Sequence, residues 1–284
     1  MTDNTMIEIR KKERKIKELG EIKKPSSSSK ANFVGIEIEF FSNKLSNFRD
    51  LLVEHNLEKN CHPQRDSSIE PNDPDQQPCE LTVLCKEKSV EDVLRRVCNV
   101  LAIVDANVNK SCGLHVHIDV RNRNAGRIFK NLVTAQQLFF DLCPKSRKRN
   151  GYCKKQAESD LYQAIEGCDR YYGINAHAVS KYKTVECRIH SGTVEFKKIF
   201  NWVTLLLSVA KIPSESPINF SESNLNKLKG LLNLSDDLHN YIKERITKFT
   251  PQSKFLVGID GATGVTGNPV CHIPLEPIAN EINR

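Results

Sequence analysis

Four short segments of this chain alternate apolar and polar residues, and nearly every polar position is titratable. In "GIEIEF", Ile36, Ile38 and Phe40 oppose Glu37 and Glu39. In "CELTV", Cys79, Leu81 and Val83 oppose Glu80 and Thr82. In "LHVHIDV", Leu114, Val116, Ile118 and Val120 oppose His115, His117 and Asp119. In "TVECRIH", Val185, Cys187 and Ile189 oppose Thr184, Glu186, Arg188 and His190. Successive side chains of a strand point to opposite faces, so each segment reads as a strand with one face for the core and one left over. If a single sheet holds all four, its free face carries five acids, three histidines and an arginine.

That face has an electrostatic problem. Two unit charges ~4 Å apart repel by ~4 kcal/mol at an effective dielectric of about 20. Acids on mobile surface side chains spread apart; acids fixed side by side on a sheet need a counter-charge. A divalent cation is the natural one, and carboxylate oxygens suit Mg²⁺ or Mn²⁺, which in turn often holds nucleotide phosphates. The His115/His117 pair leaves a second reading open, because histidines at i and i+2 of a strand suit a zinc hydrolase with a third protein ligand and a water. Arg188 beside Glu186 offers a planar fork for a phosphate or a substrate carboxylate.

Between these strands the spacing turns helical. "SVEDVLRRVCNVLAIVDANV" carries the stripe Val93, Leu94, Val97, Leu101 and Val104, with Ser89 expected as its N-cap. "NAGRIFKNLVTAQQLFFDLCP" is a second long helix, expected to stop at Pro144, and "EFKKIFNWVTLLLSVAK" a third. The weak pattern from 150 to 180 defines no element. One or two helices follow, including "SDDLHNYIKERITKF". The expectation is an α+β fold: long helices over one face of a mainly antiparallel sheet, and the other face open. The polar stretch ending in "KKPSSSSK" sets off residues 1–30 as a flexible basic tail. Residues 31–250 are expected to form the folded domain and 251–284 an irregular tail.

The bulk properties narrow the class. With 284 residues, 39% hydrophobic and 27% charged, the chain is long enough for a sizeable core and has the balance of a soluble globular protein. No apolar run approaches the eighteen or so residues of a membrane helix, and the N-terminus has no apolar h-region. Ten cysteines without a CxxC or an even framework fit a reducing, intracellular, cytoplasmic setting. The net charge of +7 is concentrated at residues 10–24 and in "KSRKR" at 145–149. Those clusters allow a nucleic-acid-binding protein without catalysis, or simply a solvated helix face and loop.

Taken in order, "GIEIEF", "RDSSI", "ELTVL", "CGLHVHIDV", "DRYYGIN" and "TVECRIH" resemble the amidoligases. These belong to the carboxylate–amine ligase superfamily that includes glutamine synthetase and glutamate–cysteine ligase. The resemblance runs from about residue 33 to 210. It implies an antiparallel sheet backed by helices, with the active site on an open concave face. It implies an ATP- and Mg²⁺-dependent ligase joining a carboxylate to an amine through an acyl phosphate. Glu37, Glu39, Glu80 and Glu186 match the metal-holding acids. His115 and His117 match the pair near the nucleotide phosphates, with His117 among the catalytic groups. Arg188 matches the arginine that stabilises the transferred phosphate or the substrate carboxylate. Asp66 and Ser68 match a substrate-contacting D-G-S segment, with Asp66 the candidate base for the amine. Arg170 and Asn175 fit a looser pattern, as a nucleotide and a substrate contact. The partner would be a small amino acid, peptide or protein bearing a carboxylate or an amine. Ser67 replaces the usual glycine of D-G-S, and Cys187 stands where an aromatic is common. By alternation Cys187 faces the core.

Overall fold

The computed structural model describes residues 32–167, 169–213 and 225–249. The basic tail expected at 1–30, the irregular tail expected at 251–284 and the basic run at 10–24 lie outside the described residues.

The strands are β1 (Phe33–Ser42), β2 (Cys61–Gln64), β3 (Gln77–Lys86), β4 (Gly113–Asp119), β5 (Ile174–Asn175) and β6 (Thr184–Ser191). They form one sheet in the order β2-β3-β1-β4-β6-β5. Every pairing is antiparallel. The helices are α1 (Phe48–Glu54), α2 (Val90–Ile103), α3 (Ala125–Asp141), α4 (Lys145–Lys148), α5 (Leu161–Glu166), α6 (His177–Tyr182), α7 (Phe196–Ala210), α8 (Leu225–Leu232) and α9 (Asp236–Phe249). The fold is therefore α+β with an antiparallel sheet. α5, β5 and α6 fill the stretch whose sequence pattern was weak, since such short elements carry too few periods to register.

The apolar half of each strand is core. Ile36, Ile38, Leu81, Val83, Leu114, Val116, Ile118, Val185 and Cys187 have no solvent exposure. They join one cluster with Val93, Leu94 and Val97 of α2, Ile128, Phe129 and Leu132 of α3, and Ile199, Trp202 and Val203 of α7. Phe139 of α3 meets Trp202 of α7 edge to face at 5.5 Å. Each such side chain contributes roughly 1.5–3 kcal/mol by leaving water. α3 starts on a side-chain cap, the Asn124 oxygen accepting from the Arg127 N–H. α2 does not: Ser89 precedes it but its side chain makes no capping bond. A 3-10 turn at Glu87–Ser89 leads into the helix instead. Among the described residues no helix is long and apolar enough to cross a membrane.

One irregularity changes which residues share a face. Between β4 and β6, Val116 pairs with Cys187, but Leu114 pairs with His190. Two steps along β4 thus match three along β6, which is a β-bulge, and the alternation of β6 flips past it. Thr184, Glu186 and Arg188 keep the open face, whereas His190 turns to the helix side, opposite apolar Leu114. The expected place of His190 on the open face is thereby corrected. It is 1% exposed, 4.9 Å from the Trp202 ring, and its Nδ1–H donates to the Ser191 carbonyl at 2.6 Å.

The "KSRKR" segment is also not simply a solvated loop. Arg147 of α4 is buried, and its Nε and Nη2 donate to the carbonyls of Ile189 and Arg188 at 3.0 and 2.7 Å. Lys148 pairs with Asp141.

Burial, reinforced by the nearby charge of Arg245, pushes the His190 imidazole down to about 3. The unfolded chain takes up the proton near pH 6.5 while the folded chain refuses it, so stability falls as pH drops from about 6.5 toward 3. The loss is up to about 1.4 kcal/mol per pH unit. Urea unfolding from pH 8 to pH 4 should show this acid limb, and His190→Phe should flatten it; an unchanged limb would contradict a buried neutral histidine.

Candidate active site on the open sheet face

Register assembles the site. Across the sheet, Gln64 stands opposite Glu80 and Glu80 opposite Glu39. In the next row Thr82 faces Glu37 and Glu37 faces His115. One row further, Gly35 faces His117, His117 faces Glu186, and Glu186 faces Asn175. Residues from all six strands are therefore brought side by side although they are spread over more than a hundred residues of sequence.

Glu37 is the hub. Its Oε2 lies 3.0 Å from His115 Nδ1 and its Oε1 lies 3.1 Å from His117 Nε2. A carboxylate only accepts, so those ring nitrogens carry the hydrogens. The other nitrogen of His117 meets the Thr184 hydroxyl at 2.9 Å. Glu39 accepts the Gly113 N–H at 2.5 Å. A Cβ at Gly113 would lie 2.7 Å from His115 Nε2, so only glycine lets the backbone come this close. Glu186 accepts from Arg188 Nη1 and, at 2.7 Å, from Asn175 Nδ2. Glu80 accepts from Gln64.

The charges settle unevenly. Burial works against ionised Glu37, yet the hydrogen bonds and charges of His115 and His117 outweigh it and hold its carboxyl well below the usual range. Glu186 is also lowered: burial opposes its charge, and His117 and Arg188 more than compensate. Burial would lower His117, but the hydrogen bond it donates to Glu37 and the charges of Glu186 and Glu37 raise it. Glu80 goes the other way. Burial and the charge of Glu37 push it up to about 7, against the Gln64 hydrogen bond.

Three groups of side chains bring ligand atoms within 4.8 Å of one another: Glu37, His117 and Glu186; Glu37, Glu80 and His115; and Glu39, Asp66 and Glu80. Each could hold a metal ion. All four expected metal acids take part, Glu37 belongs to two groups, and the two histidines fall into different ones.

The remaining candidates are placed less uniformly. Asp66 joins the cluster from the loop after β2, and its Oδ1 accepts the Ser68 N–H at 2.8 Å, while Ser68 itself is exposed. Ile69 of this loop packs with Phe41 and Cys112. Asn109 donates to the Glu70 carbonyl at 2.7 Å, which anchors the loop. Asn175 is buried and bonded to Glu186, with its Oδ1 accepting the His177 N–H at 2.8 Å. Arg170 stays outside the cluster: it is exposed, 5.0 Å over the Tyr171 ring, and donates to the Tyr171 hydroxyl. Asp119 shares the face by alternation, but Arg121 grips both its oxygens at 2.9 and 2.8 Å. Of the five strand acids, four enter the cluster, and Asp66 of the loop adds a fifth carboxylate in place of Asp119.

Sequence reasoning missed Gln64, Thr184 as the partner of His117, and the Gly113 amide. Gln64 lies two residues before Asp66 and Thr184 two before Glu186, but nothing local marks either as a partner. A backbone amide has no sequence signal at all.

A family model described as "Putative amidoligase enzyme" matches residues 66–166, less than half of the chain. No curated protein matches. The matched stretch contains Asp66, Glu80, His115 and His117, and the rest of the cluster lies outside it. The match supports the amidoligase family, and with it an enzyme of the ligase class that forms amide bonds.

A cation bound at Glu80 must displace a proton held up to about pH 7. Mn²⁺ affinity, measured by calorimetry, should therefore rise at least tenfold from about pH 6 to pH 8, and Glu80→Gln should flatten that rise. The free protein has the opposite sign. A carboxyl raised by folding weakens the folded state as pH climbs from about 4.5 to about 7, so Glu80→Gln should gain urea resistance above pH 7. Affinity independent of pH would remove Glu80 from the ligand set.

Proposed function

We propose that this chain is an ATP-dependent carboxylate–amine ligase whose catalytic domain spans residues 31–250, with the glutamine synthetase-like fold its motifs resemble. One observation carries the reading. Glu37, Glu39, Glu80, Glu186 and two imidazoles converge on one open sheet face, with Arg188 at the edge of the cluster.

The donor set fits Mg²⁺ or Mn²⁺, being mainly hard carboxylate oxygen. His115 Nε2 lies 3.5 Å from Glu39 Oε1, so the imidazole and the carboxylates present their donor atoms toward one another. Glu37, Glu39, Glu80 and Glu186 would hold the metal. ATP with that metal would supply the activation, turning a poor oxide leaving group into an acyl phosphate that an amine opens, with ADP and phosphate as by-products.

The chain's own groups then have defined tasks. Arg188 neutralises charge growing on phosphoryl oxygens or pairs with the substrate carboxylate. His115 and His117 keep Glu37 ionised and face the phosphates. Asp66 takes the proton that an ammonium must lose before it attacks. Asn175 holds Glu186 in place, and Ser68 meets substrate at the exposed turn. Arg170, off the cluster, is a rim contact for nucleotide.

The placement of the two histidines in different ligand groups speaks against a zinc hydrolase built on the pair. Buried Arg147 and paired Lys148 speak against the 145–149 segment as a nucleic-acid surface. The acceptable carboxylates are amino acids, peptides or protein side chains in a cytoplasmic setting.

The test is trapping. Mg²⁺-ATP, a panel of amino acids and acidic peptides, and hydroxylamine should yield a hydroxamate with one ADP each. Glu186→Gln or Arg188→Ala should lower kcat by about 10²–10³-fold. A folded wild-type protein that neither binds Mg²⁺-ATP in calorimetry nor forms hydroxamate would overturn the reading.

A further inference from the structure

Arg147 is an odd residue to bury. It is 6% exposed, yet among the described residues its side-chain hydrogen bonds go to two neutral carbonyls, those of Ile189 and Arg188. Burying a guanidinium without a carboxylate is expensive, and a well-packed apolar side chain usually serves stability as well or better. What the guanidinium provides is a fork with fixed spacing across two successive carbonyls. Those carbonyls belong to the bulge of β6, where Cys187 pairs with Val116 but His190 pairs with Leu114. Bulges re-aim side chains beside functional sites. Here the consequence can be named. On one side of the bulge Arg188 reaches Glu186 on the open face; on the other, His190 enters the core against Trp202. Without the extra residue, strict alternation would carry His190 to the open face.

We propose that Arg147 is a positioning residue. It clamps the β6 bulge and so sets Arg188 against Glu186 at the site. The clamp is delivered by the short helix α4, and Cys153 ties the same segment by donating its Sγ–H to the Arg147 carbonyl at 3.3 Å. The neighbouring amide of Arg188 bonds to the Gly173 carbonyl at 2.8 Å, so the bulge is held from the β5 side as well. The role of Arg188 rests on the ligase reading above; the clamp itself does not.

The experiment compares wild type, Arg147→Lys, Arg188→Lys and the double variant in the full chain. A lysine keeps the charge but not the fork. Arg147→Lys is expected to leave Mn²⁺ affinity within about twofold, since no metal-group residue is touched, and to lower hydroxamate kcat about tenfold. The double variant should be no worse than Arg188→Lys, because both act through one group. Methylguanidinium should restore Arg147→Ala in part, which a general loss of stability would not allow. Trp202, the only tryptophan of the chain, reports the bulge directly, and its emission should shift in Arg147→Lys. Unchanged kcat and emission in a folded Arg147→Lys, or losses that multiply in the double variant, overturn the proposal. If Arg147→Lys does not fold, Arg147→Gln, which keeps one donor, is read the same way. An inactive wild type sinks the ligase reading instead, and the clamp is then decided by Trp202: a shift supports it, none overturns it.

Discussion

Glu37 keeps its charge among three other carboxylates because two imidazoles donate to it from the next strand. Without them, burial and the repulsion of its neighbours would favour the neutral acid. That single arrangement organises the site. It fixes which nitrogen of each histidine holds a proton, leaves His115 Nε2 turned toward Glu39, and joins two potential ligand groups through one residue. It also concentrates the strain elsewhere. Glu80, buried beside the charge of Glu37, is the acid pushed up to about 7, and so is the acid that a metal would have to deprotonate.

The sheet exists to hold those contacts in register. Its helix side is dry, with Ile36, Val116 and Val185 fully buried under α2, α3 and α7. That packing fixes the strands against slippage, because a one-residue shift would send the apolar side chains into water. Register in turn puts Glu37 beside His115, and His117 beside Glu186. The core thus supports the site through geometry, without contacting it chemically.

The family match and the geometry bear on different parts of the molecule. The matched segment ends at residue 166, before Glu186, Arg188 and Asn175, and begins after Glu37 and Glu39. Yet those residues complete the ligand groups that the matched segment only half supplies. The convergence of both on one face joins a partial resemblance to a complete constellation.

The sequence by itself determined much of this. A period-two pattern in four segments was enough to assign two faces, to place Glu37, Glu39, Glu80, His115, His117, Glu186 and Arg188 together, and to send Cys187 inward. Such information is local, because alternation depends only on neighbours in the chain. What only the tertiary structure decided depends on partners far away in sequence. The extra residue in β6 turned His190 into the core, and nothing between Thr184 and His190 announces it. Arg147 looks like one of a run of solvated cations until the bulge carbonyls reach it. Asp119 leaves the cluster because Arg121 curls back onto it, and Arg170 stays at the surface on Tyr171. Alternation sets which side a residue faces, but pairing, bulges and burial are set by the strand or helix that arrives from elsewhere.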